Sequence, residues 1–255
     1  MDMKNVKAII TGGVSGLGYG VAERVVADGG QAVLMDINDE KGAEAVATLG
    51  DAVSYIKTDV TSEQNVADAV AEAANRMGSI NLNVNCAGVI GAARALGREA
   101  PMPLDFFANT ININLVGSFN VIKAAANLMQ HNDPGEDNER GVIVCTASVA
   151  AFEGQIGQVA YSASKGGIVG MTMPLAREFS RFGVRVMTIA PGVFWTPMVD
   201  GMPDRIREAL NESVPFPKRL GTAAEYADTV AYIVGNRYLN GETIRIDGAI
   251  RMQPK

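Results

Sequence analysis

The sequence predicts an α/β protein with a single domain. Its expected form is a three-layer sandwich, in which a seven-stranded parallel sheet carries helices on both faces. Short apolar runs alternate with longer amphipathic stretches from the N-terminus to about residue 190, which is the pattern of repeated βα units. A glycine-rich turn follows the first apolar run, where such a sheet would begin its first helix. The length of 255 residues is within the range of one α/β domain.

The apolar runs predict seven strands, and the stretches between them predict six helices. Some predicted helices begin at a residue such as Thr61 or Thr222, whose hydroxyl suits the free amides of a first turn. The strands are expected at about 6–10, 31–35, 52–56, 80–84, 141–146, 184–190 and 242–246. The helices are expected at about 16–28, 39–49, 62–77, 104–130, 158–182 and 222–235. Ligands of parallel sheets bind beyond the carboxyl ends of the strands, so functional residues are expected there.

Two segments break the alternation and are candidate substrate loops. Residues 88–103 are rich in Gly, Ala and Pro, and residues 191–217 contain five prolines and several large apolar side chains. Within 191–217 we expect a lid over an apolar pocket, because side chains such as Met198, Met202 and Phe216 cannot all be buried under the sheet. The alternative is that they pack permanently against helix 222–235 or another subunit.

Composition and charge exclude several classes of protein. The content of 47% hydrophobic and 20% charged residues is that of a globular chain. The chain has a net charge of −6 and contains no long run of basic residues, so nucleic acid is not expected as a partner. Cys86 and Cys145 lie in apolar runs as expected for reduced thiols, and no cluster of metal ligands is present. No run reaches the ~18 apolar residues of a membrane span, and a strand at 6–10 leaves no room for a signal peptide. We therefore expect a cytoplasmic protein without a metal or a membrane partner.

The glycine-rich turn reads Thr-Gly-Gly-Val-Ser-Gly-Leu-Gly over residues 11–18. In a strand-turn-helix context, Gly12, Gly16 and Gly18 would let backbone amides approach a pyrophosphate at a helix N-terminus. The plainer interpretation is a tight turn that only tolerates glycine. Asp36 follows about 20 residues later at the end of the second strand, where a carboxylate meets an adenosine ribose. The charge of Asp36 would repel a 2′-phosphate, and no Arg or Lys lies beside it, so NAD is favoured over NADP. The alternative interpretation is that Asp36 is an exposed residue that begins a polar loop.

A second group of residues suggests acid–base chemistry. Tyr161 and Lys165 are i,i+4 neighbours near the start of a predicted helix, and Ser148 lies thirteen residues before Tyr161, just past a strand end. Lowering a tyrosine pKa from about 10 to about 7 requires a nearby positive charge, and Lys165 is the available cation. The only histidine, His131, lies in a polar loop, which argues against proton transfer by histidine and against serine-hydrolase triads.

These motifs resemble the short-chain dehydrogenase/reductase family over essentially the whole chain. The matching residues, in the order and spacing of the family, are Thr11-Gly12-x-x-x-Gly16-x-Gly18, Asp59-Val60, Asn85-Cys86-Ala87-Gly88, Asn114, Ser148, Tyr161-x-x-x-Lys165 and Pro191-Gly192. The resemblance implies a Rossmann-type fold and a hydride transfer with NAD. It further implies that Asn114 completes a Ser-Tyr-Lys-Asn tetrad and that the protein is a homotetramer.

The resemblance also assigns expected roles to individual residues. The implied cofactor residues are Gly12, Ser15, Gly16, Leu17, Gly18, Asp36, Asp59, Val60, Cys86, Ala87, Gly88, Tyr161, Lys165, Pro191, Phe194 and Thr196. The implied substrate residues are Ser148, Gln155, Gln158 and Tyr161. Trp195 departs from the small residue expected at its position and changes the expected shape of the pocket.

Residues 146–167, 214–217 and 246–252 are similar to family members that oxidise 3-hydroxyacyl-CoA thioesters. For such a substrate, cations from the two irregular segments would bind the CoA phosphates; the candidates are Arg94, Arg98, Arg205, Lys218 and Arg219. One alternative is a dehydrogenase of hydroxysteroids or other hydrophobic alcohols. Another is a catalytically silent dinucleotide-binding scaffold, which has no need of an ionisable Tyr–Lys pair.

Overall fold

A seven-stranded parallel sheet forms the centre of the protein. The computed structural model describes residues 1–196 and 204–254. The strands are β1 (Lys7–Thr11), β2 (Gln31–Asp36), β3 (Val53–Lys57), β4 (Leu82–Asn85), β5 (Gly141–Thr146), β6 (Val184–Pro191) and β7 (Thr243–Ile246). Their order in the sheet is β3-β2-β1-β4-β5-β6-β7, and every neighbouring pair is parallel. The predicted sheet is therefore confirmed.

The helices within the described residues flank this sheet. They are α1 (Gly16–Ala27), α2 (Asp39–Leu49), α3 (Glu63–Met77), α4 (Leu104–Ile111), α5 (Gly117–Met129), α6 (Val159–Phe179), α7 (Asp204–Ser213) and α8 (Ala223–Gly235). A π-helical turn at Asn112–Val116 joins α4 to α5, so the helix predicted at 104–130 forms with one irregular turn. The sequence analysis did not predict α7, which lies inside the segment expected to be a loop.

The two predicted helix caps have different outcomes. Thr222 does cap α8, in a reciprocal capping box with Glu225. Thr61 does not cap α3, because Ser62 takes that position and accepts a hydrogen bond from the Asn65 amide. The Thr61 hydroxyl donates instead to the carboxylate of Asp59, which draws it away from the helix.

Alternate residues of the strands face opposite layers. Ile9 and Ile143 belong to the buried cluster covered by α3, α5 and α6, while Ile10 and Val144 belong to the cluster covered by α1 and α8. This alternation is the period of two expected for a strand with both faces buried. It confirms the predicted three layers.

The chain reverses its direction across the sheet between β1 and β4. From β1 it continues outward to β2 and β3, whereas β4 begins the progression in the opposite direction to β7. Adjacent strands whose connections run to opposite sides leave a crevice beyond their carboxyl ends. The glycine turn after β1 and the residues after β4 border this crevice.

Candidate active site

The turn between β1 and α1 brings the backbone close to the segment after β4. Gly12 and Gly16 have φ values of +61° and +54°, which side-chain-bearing residues rarely adopt. A Cβ on Gly12 would lie 2.8 Å from the Ala87 nitrogen, and one on Gly18 would lie 2.4 Å from the Gly12 oxygen. The side chain of Ser15 does not cap α1, so it satisfies none of the first-turn amides. These features fit a phosphate group at the helix N-terminus.

A cavity of about 470 Å³ opens above this turn. Twelve of the predicted cofactor residues line it: Gly12, Ser15, Gly16, Leu17, Gly18, Asp36, Asp59, Val60, Cys86, Ala87, Gly88 and Thr196. Seven further lining residues were not predicted: Met35, Ile37, Thr58, Thr61, Val89, Ile90 and Ile113. Ile37 is 66% exposed. A large apolar side chain directly after Asp36 could have indicated a cavity residue from the sequence, but it was not predicted as one.

Two carboxylates border the far end of the cavity. The Asp36 carboxylate ends β2, and the described residues offer it one hydrogen bond, from the Asn38 amide at 3.2 Å. Asp59 accepts hydrogen bonds from the amide and hydroxyl of Thr61, at 2.9 and 2.7 Å. Asp36 therefore retains most of its capacity to accept hydrogen bonds from a ligand, whereas Asp59 is partly occupied by its own turn.

Four predicted cofactor residues lie outside this lining: Tyr161 and Lys165 of α6, and Pro191 and Phe194. Pro191 is the buried last residue of β6. Phe194 packs against Gly221, where an added Cβ would lie 2.7 Å from the ring, and it belongs to the buried cluster beneath α8. The structure therefore places Phe194 in the core on the α8 side.

Ser148, Tyr161 and Lys165 come together beyond the end of β5. Ser148 begins a 3-10 turn and its hydroxyl accepts a hydrogen bond from the Ala150 amide at 3.1 Å. Tyr161 lies in the first turn of α6, and Ser148 is close enough to its hydroxyl to lower the pKa of Tyr161. One helical turn later, the Nζ of Lys165 lies 5.8 Å from the centroid of the Tyr161 ring. The arrangement joins a proton acceptor, a polar partner and a cation.

Burial dominates the electrostatics of this group. Lys165 is 6% exposed and donates to the main-chain oxygen of Thr146 at 2.8 Å. Burial lowers the pKa of Lys165 to about 8, and the nearby Cys86 and Cys145 oppose that shift. Burial raises the pKa of Tyr161, while its hydrogen bond with Ser148 acts in the opposite direction. Burial therefore determines the direction of the Tyr161 pKa shift in the protein without cofactor. A Tyr161 pKa near 7 in the presence of Lys165 and an oxidised nicotinamide ring stays a prediction.

Asn114 lies in the π-helical turn and is fully buried. Its Oδ1 accepts from the Val89 amide at 2.8 Å, and its Nδ2 donates to the Val89 oxygen at 2.9 Å and to the Ser164 hydroxyl at 3.0 Å. A Cβ on Gly88 would lie 3.0 Å from the Asn114 Oδ1 and 3.7 Å from the Lys165 Nζ. Asn114 is thus close to Lys165, but its side chain holds the backbone after β4.

The two glutamines of the predicted substrate site make contacts within the protein. The Gln158 Oε1 accepts from the Gln155 amide at 2.9 Å, and the Gln155 Nε2 donates to the Gln253 oxygen at 2.9 Å. Gln155 also lines a second cavity of about 780 Å³, together with Arg94 and Ser162. The C-terminal segment therefore contributes to this side of the site, which the sequence did not indicate.

The described residues include only part of the predicted lid, and one of the predicted phosphate contacts is paired within the protein. Val214 is 3% exposed and Phe216 is 82% exposed, so one side chain is in the core and the other faces solvent. Met198 and Met202 lie outside the described residues. Arg219 was a candidate for binding the CoA phosphates. Its guanidinium is instead paired with both carboxylate oxygens of Glu225, at 2.7 and 3.0 Å.

Comparison with known proteins identifies the class. Residues 6–206 match the sequence profile described as short chain dehydrogenase, and the chain belongs to this family of oxidoreductases. It is 51% identical over 255 residues to 3-hydroxyacyl-CoA dehydrogenase type-2 of Bos taurus, covering 99% of this chain and 98% of the relative. It is 50% identical over 254 residues to the protein of that name from Drosophila melanogaster, covering 99% and 100%.

A solved structure agrees with this assignment. The crystal structure of 3-hydroxyacyl-CoA dehydrogenase type-2 from Mycobacterium avium matches with a TM-score of 0.92 and 42% identity, covering 97% of this chain and 96% of that chain. The protein is therefore an enzyme of the short-chain dehydrogenase family with a small-molecule substrate, and membership implies a nicotinamide cofactor. No helix in the described part of the chain is both long and apolar enough to cross a membrane.

Proposed function

We propose that this protein is an NAD-dependent dehydrogenase that oxidises the 3-hydroxyl group of a 3-hydroxyacyl-CoA. The observation that carries the proposal is the position of Tyr161, Lys165 and Ser148 beyond the end of β5, beside a glycine-lined cavity bordered by Asp36. The names of the relatives at about half identity over the full length support the substrate class.

In this mechanism Tyr161 is the general base. Its phenolate takes the proton of the substrate hydroxyl, while the Ser148 hydroxyl donates a hydrogen bond to the substrate oxygen. Lys165 stabilises the phenolate and binds the nicotinamide ribose, and Asn114 holds a water of the proton relay. Bound NAD supplies the nicotinamide ring that accepts the hydride.

The remaining cofactor contacts follow the lining of the cavity. The amides near Gly12, Gly16 and Gly18 would bind the pyrophosphate, and Asp36 would accept hydrogen bonds from the ribose hydroxyls. Asp59 and Val60 would flank the adenine. The lining residues within the described chain include no Lys or Arg that would bind a 2′-phosphate, which favours NAD over NADP. The same proposal assigns the remaining cofactor contacts to Ser15, Leu17, Cys86, Ala87, Gly88 and Thr196, which line the cavity. It gives none to Pro191 and Phe194, which are buried outside it.

The substrate would approach from the side of Gln155 and Gln158, bordered by the lid within 191–217. The exposed side chains of Trp195 and Phe216, 42% and 82% accessible, supply apolar surface for an acyl chain. Arg94, Arg98 and Lys218 form no ion pair in the described structure and are the proposed phosphate contacts. An uncharged hydroxysteroid would use the apolar surface but not these cations.

Cofactor reduction separates these substrates. Wild-type protein is assayed with NAD and NADP against a panel of 3-hydroxyacyl-CoA thioesters and hydroxysteroids, at low and high salt. We expect kcat/KM to be highest for an acyl-CoA with NAD, and to fall with salt and with Lys218→Ala only for the acyl-CoA. Equal salt sensitivity for both substrate classes would contradict the CoA contacts, and no reduction of either cofactor would contradict the proposed function.

Two further properties belong to this proposal. The family resemblance implies a homotetramer, and apolar side chains exposed near α5, Val116 at 47% and Phe119 at 45%, would suit a subunit contact. It works in the cytoplasm, since the described thiols of Cys86 and Cys145 are free, as in a reducing compartment.

A further inference from the structure

The buried side chains of Thr146 and Tyr226 and the half-buried Cys86 form a hydrogen-bonded group on the α8 side of the sheet. The Thr146 Oγ1 lies 2.6 Å from the Tyr226 hydroxyl and 3.4 Å from the Cys86 Sγ. The Tyr226 hydroxyl is also 3.8 Å from that sulfur. Tyr226 is fully buried and Thr146 is 8% exposed. Water cannot readily replace these partners, so each hydroxyl depends on the other.

Thr146 needs such support because it lies at a strand end. The pairing of β4 with β5 stops at Asn85 and Cys145, one residue before Thr146. On its other side Thr146 pairs with Ile189 of β6. Its main-chain oxygen accepts the hydrogen bond from the Lys165 Nζ at 2.8 Å. Thr146, which holds the Lys165 ammonium, is therefore fixed by its pairing with β6 and by the contacts of its hydroxyl with Tyr226 and Cys86.

Tyr226 itself is rigidly held. It lies in the first turn of α8, where Thr222 and Glu225 form the capping box. The guanidinium of Arg219 binds both oxygens of the Glu225 carboxylate. This fixed helix terminus brings the Tyr226 hydroxyl to the sheet face opposite α6, the helix that carries Lys165.

We propose that Tyr226 is a positioning residue for proton transfer, whose hydroxyl fixes Thr146 so that the Thr146 carbonyl holds the Lys165 ammonium beside Tyr161. This inference rests on the proposed function. The titratable groups that face Lys165 are Tyr161 from its own helix, Cys86 after β4 and Cys145 from β5.

The described residues give Lys165 no carboxylate partner. Among the described residues the Thr146 carbonyl is the hydrogen-bond acceptor of the Lys165 ammonium. It favours the charged form together with the nearby Cys86 and Cys145, because an acceptor stabilises the ammonium over the amine. The Cys86 sulfur also contacts the Tyr226 hydroxyl, whereas Cys145 lies on the opposite face of the sheet. Burial raises the pKa of both thiols. The lysine therefore depends on a main-chain oxygen whose position Tyr226 controls.

Tyr226→Phe tests the inference, since it keeps the ring and removes the hydroxyl. A looser Thr146 carbonyl lowers the pKa of Lys165 further, which weakens its support of the Tyr161 phenolate. The acid limb of the pH profile for alcohol oxidation should move up by about 0.5–1 pH unit. At neutral pH kcat should fall about three- to tenfold, with the Kd for NADH unchanged. In the cofactor-free protein, NMR of isotopically labelled lysine should show a lower pKa for Lys165.

Matched variants separate positioning from packing. Tyr232→Phe, on the same helix at a 60% exposed position, should leave every readout unchanged. Thr146→Val should reproduce the effect of Tyr226→Phe and should not add to it in the double variant, whereas Thr146→Ser should retain wild-type behaviour. Thr146→Val also carries the test if Tyr226→Phe does not fold.

The outcomes distinguish this inference from the proposed function. A variant with a lower Tm but an unchanged pH profile and an unchanged Lys165 pKa would make Tyr226 a structural residue only and overturn the inference. Absence of dehydrogenase activity in the wild type would overturn the proposed function. The positioning role would still be tested in that case, by comparing the Lys165 pKa of Tyr226→Phe with that of the wild type in the cofactor-free proteins.

Discussion

At the scale of single residues, Lys165 is a buried cation held by a main-chain carbonyl. Its ordinary pKa of 10.5 falls to about 8 in the folded protein because of burial. Between those pH values the folded protein binds fewer protons than the unfolded chain, so stability rises with pH across this window. The group required for catalysis thus reduces stability at neutral pH.

Lys165→Met should therefore stabilise the fold while it abolishes activity. At pH 7 we expect the free energy of unfolding to rise by about 1–3 kcal/mol, because an apolar side chain of similar length replaces a buried charge. The difference should shrink as the pH rises from about 8 to about 10.5. Urea unfolding of both proteins across this range measures it. Lys123→Met, at a half-exposed ion pair with Glu63, should change stability little, and a destabilised Lys165→Met would contradict the prediction.

Tyr161→Phe should remove proton transfer and little else. We expect kcat to fall by ~10²–10⁴, the usual contribution of a positioned acid or base, with the Tm and the Kd for NADH close to wild type. Steady-state assays and fluorescence titration of NADH measure these quantities. Tyr238→Phe, at a fully exposed position, is the control. Retention of a tenth or more of the wild-type kcat would show that Tyr161 is not the base.

Asp36→Ala should narrow the preference for NAD over NADP. The change removes a ribose hydrogen-bond acceptor and a charge that repels a 2′-phosphate, and hydrogen bonds to charged groups contribute ~1.5–3 kcal/mol. The ratio of kcat/KM values should fall by about tenfold or more. Asp133→Ala, in an exposed loop, should leave the ratio unchanged. An unaltered ratio in Asp36→Ala would show that this carboxylate does not face the ribose.

At the scale of elements, the turn and loop between β5 and α6 are tied to the C-terminal segment. The Glu153 carboxylate accepts hydrogen bonds from Arg245 of β7 at 2.8 Å and from the Met252 amide at 3.2 Å. Nearby, the Ile156 amide donates to the Pro254 oxygen at 3.0 Å. This loop carries Gln155, so the C-terminal segment determines the shape of the substrate side.

Glu153→Gln should loosen this loop without affecting the cofactor cavity. We expect KM for the substrate to rise about three- to tenfold, since a lost charge-assisted contact weakens the anchoring, with the Kd for NADH unchanged. Hydrogen bonding to Arg245 lowers the pKa of Glu153, so the wild type should lose this anchoring only as the pH falls through that lowered value. Glu136→Gln, in a more exposed pair with Arg237, is the control. An unchanged KM would show that the anchoring does not affect the pocket.

At the scale of the whole molecule, the outer helical layer carries exposed apolar side chains. Phe119 on α5 is 45% exposed and Val159 at the start of α6 is 47% exposed. Gly170 of α6 faces open space, whereas Gly167 lies against Leu115. Of these two glycines of α6, Gly167 is therefore used in packing within the chain and Gly170 leaves an open surface.

Phe119→Glu should lower the oligomeric state. If α5 is a subunit contact of the proposed homotetramer, a charge at Phe119 carries a large desolvation cost there. We then expect dissociation to a smaller species in analytical ultracentrifugation. Tyr238→Glu, at a fully exposed position, should leave the sedimentation coefficient unchanged. If Phe119→Glu and the wild type sediment alike, α5 is not a subunit contact.

The order of most strands and helices along the chain, the glycine turn and the spacing of Tyr161 and Lys165 were predictable from the sequence. These features depend on local rules: the period of two in strands, the period of 3.6 in helices, and the need for glycine at positive φ. Asp36 was also identifiable, because the βαβ unit has a nearly constant length. The π-helical turn at Asn112–Val116 and the helix Asp204–Ser213 left no equally clear local pattern.

The partners of these residues became visible only in the folded protein. The oxygen that holds Lys165 belongs to Thr146, Phe194 packs against Gly221, and Arg219 is bound to Glu225. The direction of the Tyr161 pKa shift depends on burial rather than on the presence of a lysine one helical turn away. Contacts and burial arise from elements far apart along the chain, so no local pattern in the sequence carries them.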